Sequence, residues 1–356
     1  MLDCSLMATL CASAIAHPPY CYNQDEVLHA LPVWLEGDPK LLSLAQRVFQ
    51  NAAVQTRYGC RPLLDLAHPL SLRETNELYQ HYACALGEQV ARSCLDRAGV
   101  DPQAVDFIIT TSCTGFMIPS LDAHLANALG LSPRIKRLPV TELGCAAGAA
   151  ALARAYDYLC AYPDQRVLVV AVELPSLTFQ VRDLSATNVV SSALFGDGAA
   201  AVLLRGEARA GRPYILATES VLFPHTTELM GFDLKDSGLH IVLSAEIPQV
   251  VCAAVPELLT CFLNRHGLRV KDLTHFLLHP GGRRVLDGLS QCLGLSAQHT
   301  TVSRAILRDY GNLSSASVLF ILDRFLTTEH IRPGDLGLLL AFGPGFSAEM
   351  LLLRWE

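Results

Sequence analysis

Apolar residues recur at helical spacing through the first quarter of the chain. "DEVLHALPVWL", "PKLLSLAQRVFQNAA" and "LRETNELYQHYACALGEQVARSCLDRAG" follow this pattern, with Gly99 as a C-terminal stop, so residues 20–100 are predicted to be mostly helical. Ahead of them, "MATLCASAIA" alternates small and apolar residues as a first strand would. After residue 100 the pattern changes. "VDFIITTSC" and "RVLVVAVEL" are continuous apolar runs, "ALFGDGAAAVLLR" enters a strand through a glycine turn, and helices are expected near 120–130 and from Cys145. Continuous β-branched runs fit strands buried on both faces with helices covering the sheet, which makes this an α/β protein.

The order then repeats. "VPELLTCFLNRHGL" precedes "LTHFLLHPGG" as "CLDRAGVDPQAV" precedes "DFIITTSCTG", and "DLGLLLAFGPG" is the counterpart of "RVLVVAVELPS". Two similar α/β halves are therefore expected, residues 1–210 and 211–356, joined near 206–213. Duplication brings the ends of corresponding strands close to a pseudo-twofold axis, and sites in α/β sheets favour strand ends. Cys145, His279 and the loop at Asn312 are thereby predicted to share one pocket.

Composition narrows the classes. The 356 residues are 51% hydrophobic and 17% charged, which fits a compact protein. Net charge is −7 without any basic run, which argues against a nucleic-acid partner and leaves an anionic ligand to local cations or helix N-termini. Twelve scattered cysteines without a CxxC pair favour reduced thiols and a cytoplasmic setting over a zinc site or a disulfide framework. The N-terminus lacks a basic region and carries Asp3, so it is read as a strand and not as a signal peptide. No uninterrupted apolar run reaches the roughly 18 residues of a membrane span.

The candidate chemistry sits at three motifs. Cys145, in "TELGCAAG", opens an alanine-rich helix, where unpaired N–H groups and the macrodipole stabilise a thiolate; plain packing is the alternative for any single cysteine. His279, in "FLLHPGG", ends an apolar strand at a tight turn, positioned to face a cavity. Asn312, in "GNLSSAS", is either a site residue or an N-cap. "FGDGAAA" satisfies GxGxxA but runs into a strand, so a dinucleotide site is rejected. Gly343, Pro344 and Gly345, in "AFGPGF", suggest backbone held rigidly against a ligand.

Taken in order, "LGCAAG", "ALFGDGAAA", "HPGG", "GNLSSAS" and "FGPG" resemble the type III polyketide synthases, the chalcone synthase-like family, over nearly the whole chain. "TSCTGFMIPSLDAH" is closer to bacterial members. The resemblance implies a thiolase-like αβαβα layered fold, no metal or other cofactor, and CoA thioesters as substrates. Cys145 would carry the acyl chain, His279 would hold its sulfur ionised as a thiolate–imidazolium pair, and His279 with Asn312 would stabilise the enolate left when malonyl-CoA loses CO₂. Phe195 matches the family's gatekeeper and Ile241 the position of a second one. Thr178 and Ser314 match cavity-lining positions, although each hydroxyl could simply be satisfied by backbone. Arg47 and Arg57 are candidates for the CoA phosphates, with a solvated helix face as the alternative. A homodimer is implied, with Met117 or Ile118 reaching the partner's cavity.

Product choice divides the resemblance. Ile241 and its surroundings look like alkylpyrone and alkylresorcinol synthases, which take fatty acyl starters; Cys113, in "SCTGF", is shared with tetrahydroxynaphthalene synthases, which use only malonyl-CoA. A fatty acyl starter and closure to a pyrone, resorcinol or related aromatic is the favoured expectation, with the malonyl-only reaction as its alternative. The competing classes are a ketoacyl-ACP synthase III making one condensation, a Cys-His-Asn hydrolase, and a non-catalytic binding subunit.

Overall fold

The computed structural model describes residues 7–35, 37–207, 211–327 and 331–356. Asp3, Cys4 and residues 208–210 at the expected junction lie outside the described residues. The strands are β1 (Ala8–Ala16), β2 (Tyr20–Asn23), β3 (Thr56–Gly59), β4 (Phe107–Thr111), β5 (Lys136–Val140), β6 (Arg166–Glu173) and β7 (Gly198–Arg205). They continue with β8 (Pro213–Leu222), β9 (Met230–Lys235), β10 (Gly238–Leu243), β11 (His275–Leu278), β12 (Leu336–Gly343) and β13 (Ser347–Trp355).

Nine strands form one mixed sheet in the order β11-β12-β13-β8-β1-β7-β6-β4-β5. Outward from the antiparallel β1–β8 pair, β7-β6-β4 on one side answers β13-β12-β11 on the other, and the outer pairs β4–β6 and β11–β12 are both parallel. The predicted counterparts, "DFIITTSC" with "THFLLH" and "RVLVVAVEL" with "DLGLLLAFG", thus occupy equivalent places. Among the described residues β5 has no mate in the second half.

Burial explains why these runs are strands. Along β6, Val167, Val169 and Ala171 face one hydrophobic cluster while Leu168, Val170 and Val172 face another, so both faces are dry. Helix Leu72–Ala98 covers the outside of the first half, packing on β1, β6 and β7. A capping box of Ser71 and Glu74 opens it, and its left-handed Gly99 at φ 63° is the stop expected from the sequence. Helix Ile247–Arg265 covers the second half through Val251, Val255, Leu259 and Phe262. That helix is long and apolar enough to cross a membrane, and this buried stripe packs with the β11 and β12 side chains. Between the halves lie helices Ala147–Ala161 and Ser317–Thr327, which gives five α and β layers.

The alanine helix passes through the centre because its side chains are small. A Cβ on Gly148 would stand 2.1 Å from the Ser315 carbonyl oxygen, so only glycine lets the two central elements approach this closely. Two features depart from the sequence pattern. The β2–β3 ribbon interrupts the expected helical stretch, and the β9–β10 hairpin projects from the second half. Their strands of four to six residues are too short and too mixed in polarity to register as period two.

Candidate active site

Cys145 lies in a 3-10 turn, Gly144–Ala146, that leads into the central helix. The turn is supported from the opposite half. A Cβ on Gly343 would meet the Leu143 carbonyl oxygen at 2.4 Å, and one on Gly144, at φ 48°, would meet Pro344 Cδ at 2.6 Å. The "FGPG" backbone, expected to lie against a ligand, packs closely on the nucleophile's turn. Of its four residues Phe342 and Pro344 line the cavity, and Gly343 and Gly345 do not.

The sulfur sits at one end of a buried hydrogen-bond chain. Cys145 Sγ donates to Ser314 Oγ at 3.5 Å, and the same hydroxyl lies 3.6 Å from Cys113 Sγ. Cys113 in turn donates to Glu173 Oε2 through its thiol at 3.6 Å and its N–H at 3.1 Å. The Glu173 carboxylate, wholly buried at the end of β6, also accepts from Thr114 and Ser315. Burial raises its pKa against those hydrogen bonds.

Burial also governs the nucleophile and its neighbours. It pushes the Cys145 thiol up to about 12, opposed by hydrogen bonds from Ser314 and Asn312 and reinforced by the charge of Glu173. His279, which follows β11, is 2% exposed, and burial drops its pKa to about 3. Its Nδ1 has no hydrogen-bond partner among the described residues, while its backbone N–H donates to the Leu340 carbonyl. Burial thus works against the charged form of the thiol and of the imidazole, each taken alone, and so against the thiolate–imidazolium pair implied by the resemblance. Each shift reflects the cost of a lone buried charge, and opposite charges formed together relieve one another.

Asn312 lines the cavity and stands one residue before the cap position, Leu313, of the turn that follows. Its Oδ1 accepts from the Ser314 N–H at 2.9 Å and from Ser317 Oγ at 3.4 Å, capping the turn before the last central helix, and its side chain hydrogen-bonds to Cys145. Its backbone bridges the gatekeeper segment: Asn312 N–H donates to Leu194 and Gly196 N–H donates to Asn312. Asp197, two residues beyond Phe195, is anchored by the Ser176 N–H at 2.7 Å, and burial raises its pKa to about 7.

One cavity of about 1090 Å³ receives Cys145, His279, Asn312, Phe195, Ile241, Cys113, Thr178 and Ser314, together with Met117 and Ile118. Strand ends from both halves thus meet as predicted. Thr178 donates to the Pro175 carbonyl, so its hydroxyl is backbone-satisfied, whereas Ser314 is engaged with the two thiols. Ile118 is fully exposed.

The two expected CoA cations require correction. Arg57 is 5% exposed, stacks over Phe49, and spends its guanidinium on Gln24 and the Ser192 carbonyl, so it is an internal tie and not a mouth cation. Arg47 bonds to the Ser43 carbonyl of its own helix and does not line the cavity. Sequence reasoning passed over Arg283 and Arg284, which do line it. It also passed over Glu173, whose only signal was a lone carboxylate ending the apolar run "RVLVVAVE".

Paired α/β halves with a cysteine at the start of a central helix define a thiolase-like condensing enzyme. Residues 5–208 match the chalcone and stilbene synthases, N-terminal domain, and residues 215–355 match the chalcone and stilbene synthases, C-terminal domain. The chain belongs to this family of type III polyketide synthases, transferases with condensing acyltransferase chemistry. It is 40% identical to a 1,3,6,8-tetrahydroxynaphthalene synthase of Streptomyces peucetius subsp. caesius, over 96% of this chain and 91% of that one. It is 34% identical to a phloroglucinol synthase of Pseudomonas fluorescens over 98% and 99% of the two chains. The crystal structure of 1,3,6,8-tetrahydroxynaphthalene synthase from Streptomyces coelicolor A3(2) superposes with a TM-score of 0.93 at 36% identity, covering 98% and 99%. This membership sets aside the hydrolase and the binding subunit.

Proposed function

We propose that this enzyme condenses malonyl-CoA units iteratively on Cys145 and closes the chain to a small polyhydroxylated aromatic, without a fatty starter. The condensation rests on one observation, the convergence of Cys145, His279 and Asn312 on a single cavity. The neutral His279 accepts the Cys145 proton as the sulfur attacks the thioester carbonyl and free CoA leaves. A second malonyl-CoA loses CO₂ beside the apolar Phe195 ring, and the enolate oxygen takes hydrogen bonds from the Asn312 amide and from His279. Its carbon attacks the Cys145 thioester carbonyl and the Cys145 sulfur leaves, so the lengthened chain stands on the second CoA and is reloaded onto Cys145 as that CoA departs.

Two lines support the malonyl-only reaction. The carbon skeletons of tetrahydroxynaphthalene and phloroglucinol, the products named for two relatives, are whole multiples of a two-carbon unit with oxygen on alternate carbons. Cys113, the residue that suggested this reaction in the sequence, stands beside Ser314 next to the nucleophile. The fatty acyl starter is a second reading, favoured by the apolar wall of Val27, Trp34, Val48, Leu63 and Leu66 and by the branched Ile241.

Purified protein incubated with malonyl-CoA alone, and with acyl-CoAs of graded length, separates these readings by mass spectrometry. An aromatic product from malonyl-CoA alone, absent in Cys145→Ala, is expected. Product only when a long acyl-CoA is present would replace the first reading with the second. Strict dependence on an acyl carrier protein would overturn both.

A further inference from the structure

We propose that Ser237, His240 and Asp183 form a second catalytic site, a serine hydrolase triad that cleaves acyl esters and thioesters at the tip of the β9–β10 hairpin. Ser237 Oγ lies 2.7 Å from His240 Nε2. On the far side of the ring, His240 Nδ1 is shut off from water and has no tighter partner among the described residues than Asp183 Oδ2, 3.4 Å away. Hydroxyl, imidazole and carboxylate thus stand in the order that serine nucleophiles use, and such contacts tighten when substrate binds. None of the three residues lines the main cavity, so this site is separate from that of Cys145.

Each member is set for its part. Asp183 Oδ1 accepts the Ser185 N–H at 2.9 Å, and the Asp183 carbonyl accepts Asn188 Nδ2 at 2.7 Å, which fixes the carboxylate. Burial would raise its carboxyl, but Ser185 and the facing His240 hold it below the usual range, so it stays charged. A charged Asp183 favours the tautomer with its proton on Nδ1, which leaves Nε2 free to take the Ser237 proton. The His240 side chain is 16% exposed, whereas Ser237 is open to solvent, so the base is sheltered and the nucleophile is reachable. The N–H groups of Asp236 and Ser237, between the paired Lys235 and Gly238, make no hydrogen bond among the described residues and are available to an oxyanion. Leu234, exposed and lining the main cavity, sets the triad beside the rim. Ser237 Oγ adds to the acyl carbonyl as His240 Nε2 takes its proton. That proton passes to the departing alcohol or thiol, and the acyl group stays on Ser237. Water, giving a proton to His240, then adds to this ester, and the carboxylic acid leaves as the Ser237 hydroxyl is restored.

The test removes the Cys145 thiol first. C145A, C145A/S237A, C145A/H240A and C145A/D183N are assayed for hydrolysis of p-nitrophenyl acetate and of acetyl-CoA. Wild type and H240A are treated with phenylmethanesulfonyl fluoride, and the adduct is located by peptide mass mapping. C145A should hydrolyse both substrates above the buffer rate. Adding S237A or H240A should lower that rate about 100-fold, the size of a lost nucleophile or general base, and D183N should lower it about tenfold or more. The sulfonyl group should sit on Ser237 in wild type and be absent from H240A, which a merely structural His240 would not explain. Hydrolysis by C145A no faster than buffer, or a rate unchanged by S237A, would overturn the triad. S237A removes only an exposed hydroxyl, so its effect reads the nucleophile and not the fold. Because Cys145 is absent from every hydrolysis assay, the outcome is independent of the polyketide that wild type makes.

Discussion

The hydroxyl of Ser314 stands 3.5 Å from Cys145 Sγ, on a residue whose backbone adopts a φ of 48°. A non-glycine residue in the left-handed region carries a cost, which here keeps the hydroxyl between the nucleophile and Cys113.

Ser314→Ala and Ser314→Gly therefore test two properties separately. Both remove the hydrogen bond that counteracts burial at the Cys145 thiol, so alkylation by iodoacetamide should slow roughly 3–10-fold at neutral pH in each. Only glycine relieves the backbone, so S314G should melt at a higher temperature than S314A. Unchanged alkylation rates would show that the hydroxyl does not tune the sulfur.

Asn312→Ala removes an amide that hydrogen-bonds to Cys145 and whose Oδ1 caps the Ser314 turn. Malonyl-CoA decarboxylation and chain extension should both fall, by about 100-fold in kcat for one lost oxyanion donor. Retained decarboxylation with lost extension would assign Asn312 to the turn alone.

Asp197 gives the fold a pH dependence of definite sign. Burial raises its pKa from the usual carboxylate range to about 7, so the folded protein holds a proton that the unfolded chain has released. Stability from this group is complete below pH 4 or so and declines as pH rises through about 7. Between pH 5 and 8 wild type should lose about 2–3 kcal/mol more than Asp197→Asn, read from urea midpoints at the two pH values. Parallel pH profiles would exclude Asp197 as the source.

Gly148→Ala tests the contact between the halves. The added methyl would lie 2.1 Å from the Ser315 carbonyl oxygen, and overpacking of this kind costs about 1–3 kcal/mol or more. A clear fall in Tm is expected. Gly231→Ala, whose added Cβ meets nothing within 4 Å, provides the control and should change Tm little.

Much of the fold was legible because burial on both faces leaves a mark in one dimension. Uninterrupted runs such as "RVLVVAVEL" announce β6, and Gly99 marks the end of helix Leu72–Ala98. The short β2–β3 and β9–β10 pairs left no such mark, since their stability comes from neighbours distant in sequence. Of the site, Cys145, His279 and Asn312 could be named from their motifs, and the structure brings all three to one cavity. Arg57 could not be judged that way. A charged side chain reads alike whether it points to solvent or, as here, into a pocket of carbonyl and amide oxygens.

By itself, then, the sequence determined the long buried strands and helices, how their order repeats, and which residue types can carry acyl-transfer chemistry. These follow from local periodicity and from the chemistry of single side chains. Tertiary structure decided the electrostatics: that burial works against the charged form of both thiol and imidazole, that Ser314 joins two cysteines to a buried Glu173, and that Arg283 and Arg284 rather than Arg47 and Arg57 line the cavity as exposed cations. A pKa and an ion's accessibility depend on which distant groups and how much water surround it, and only the folded chain fixes those neighbours.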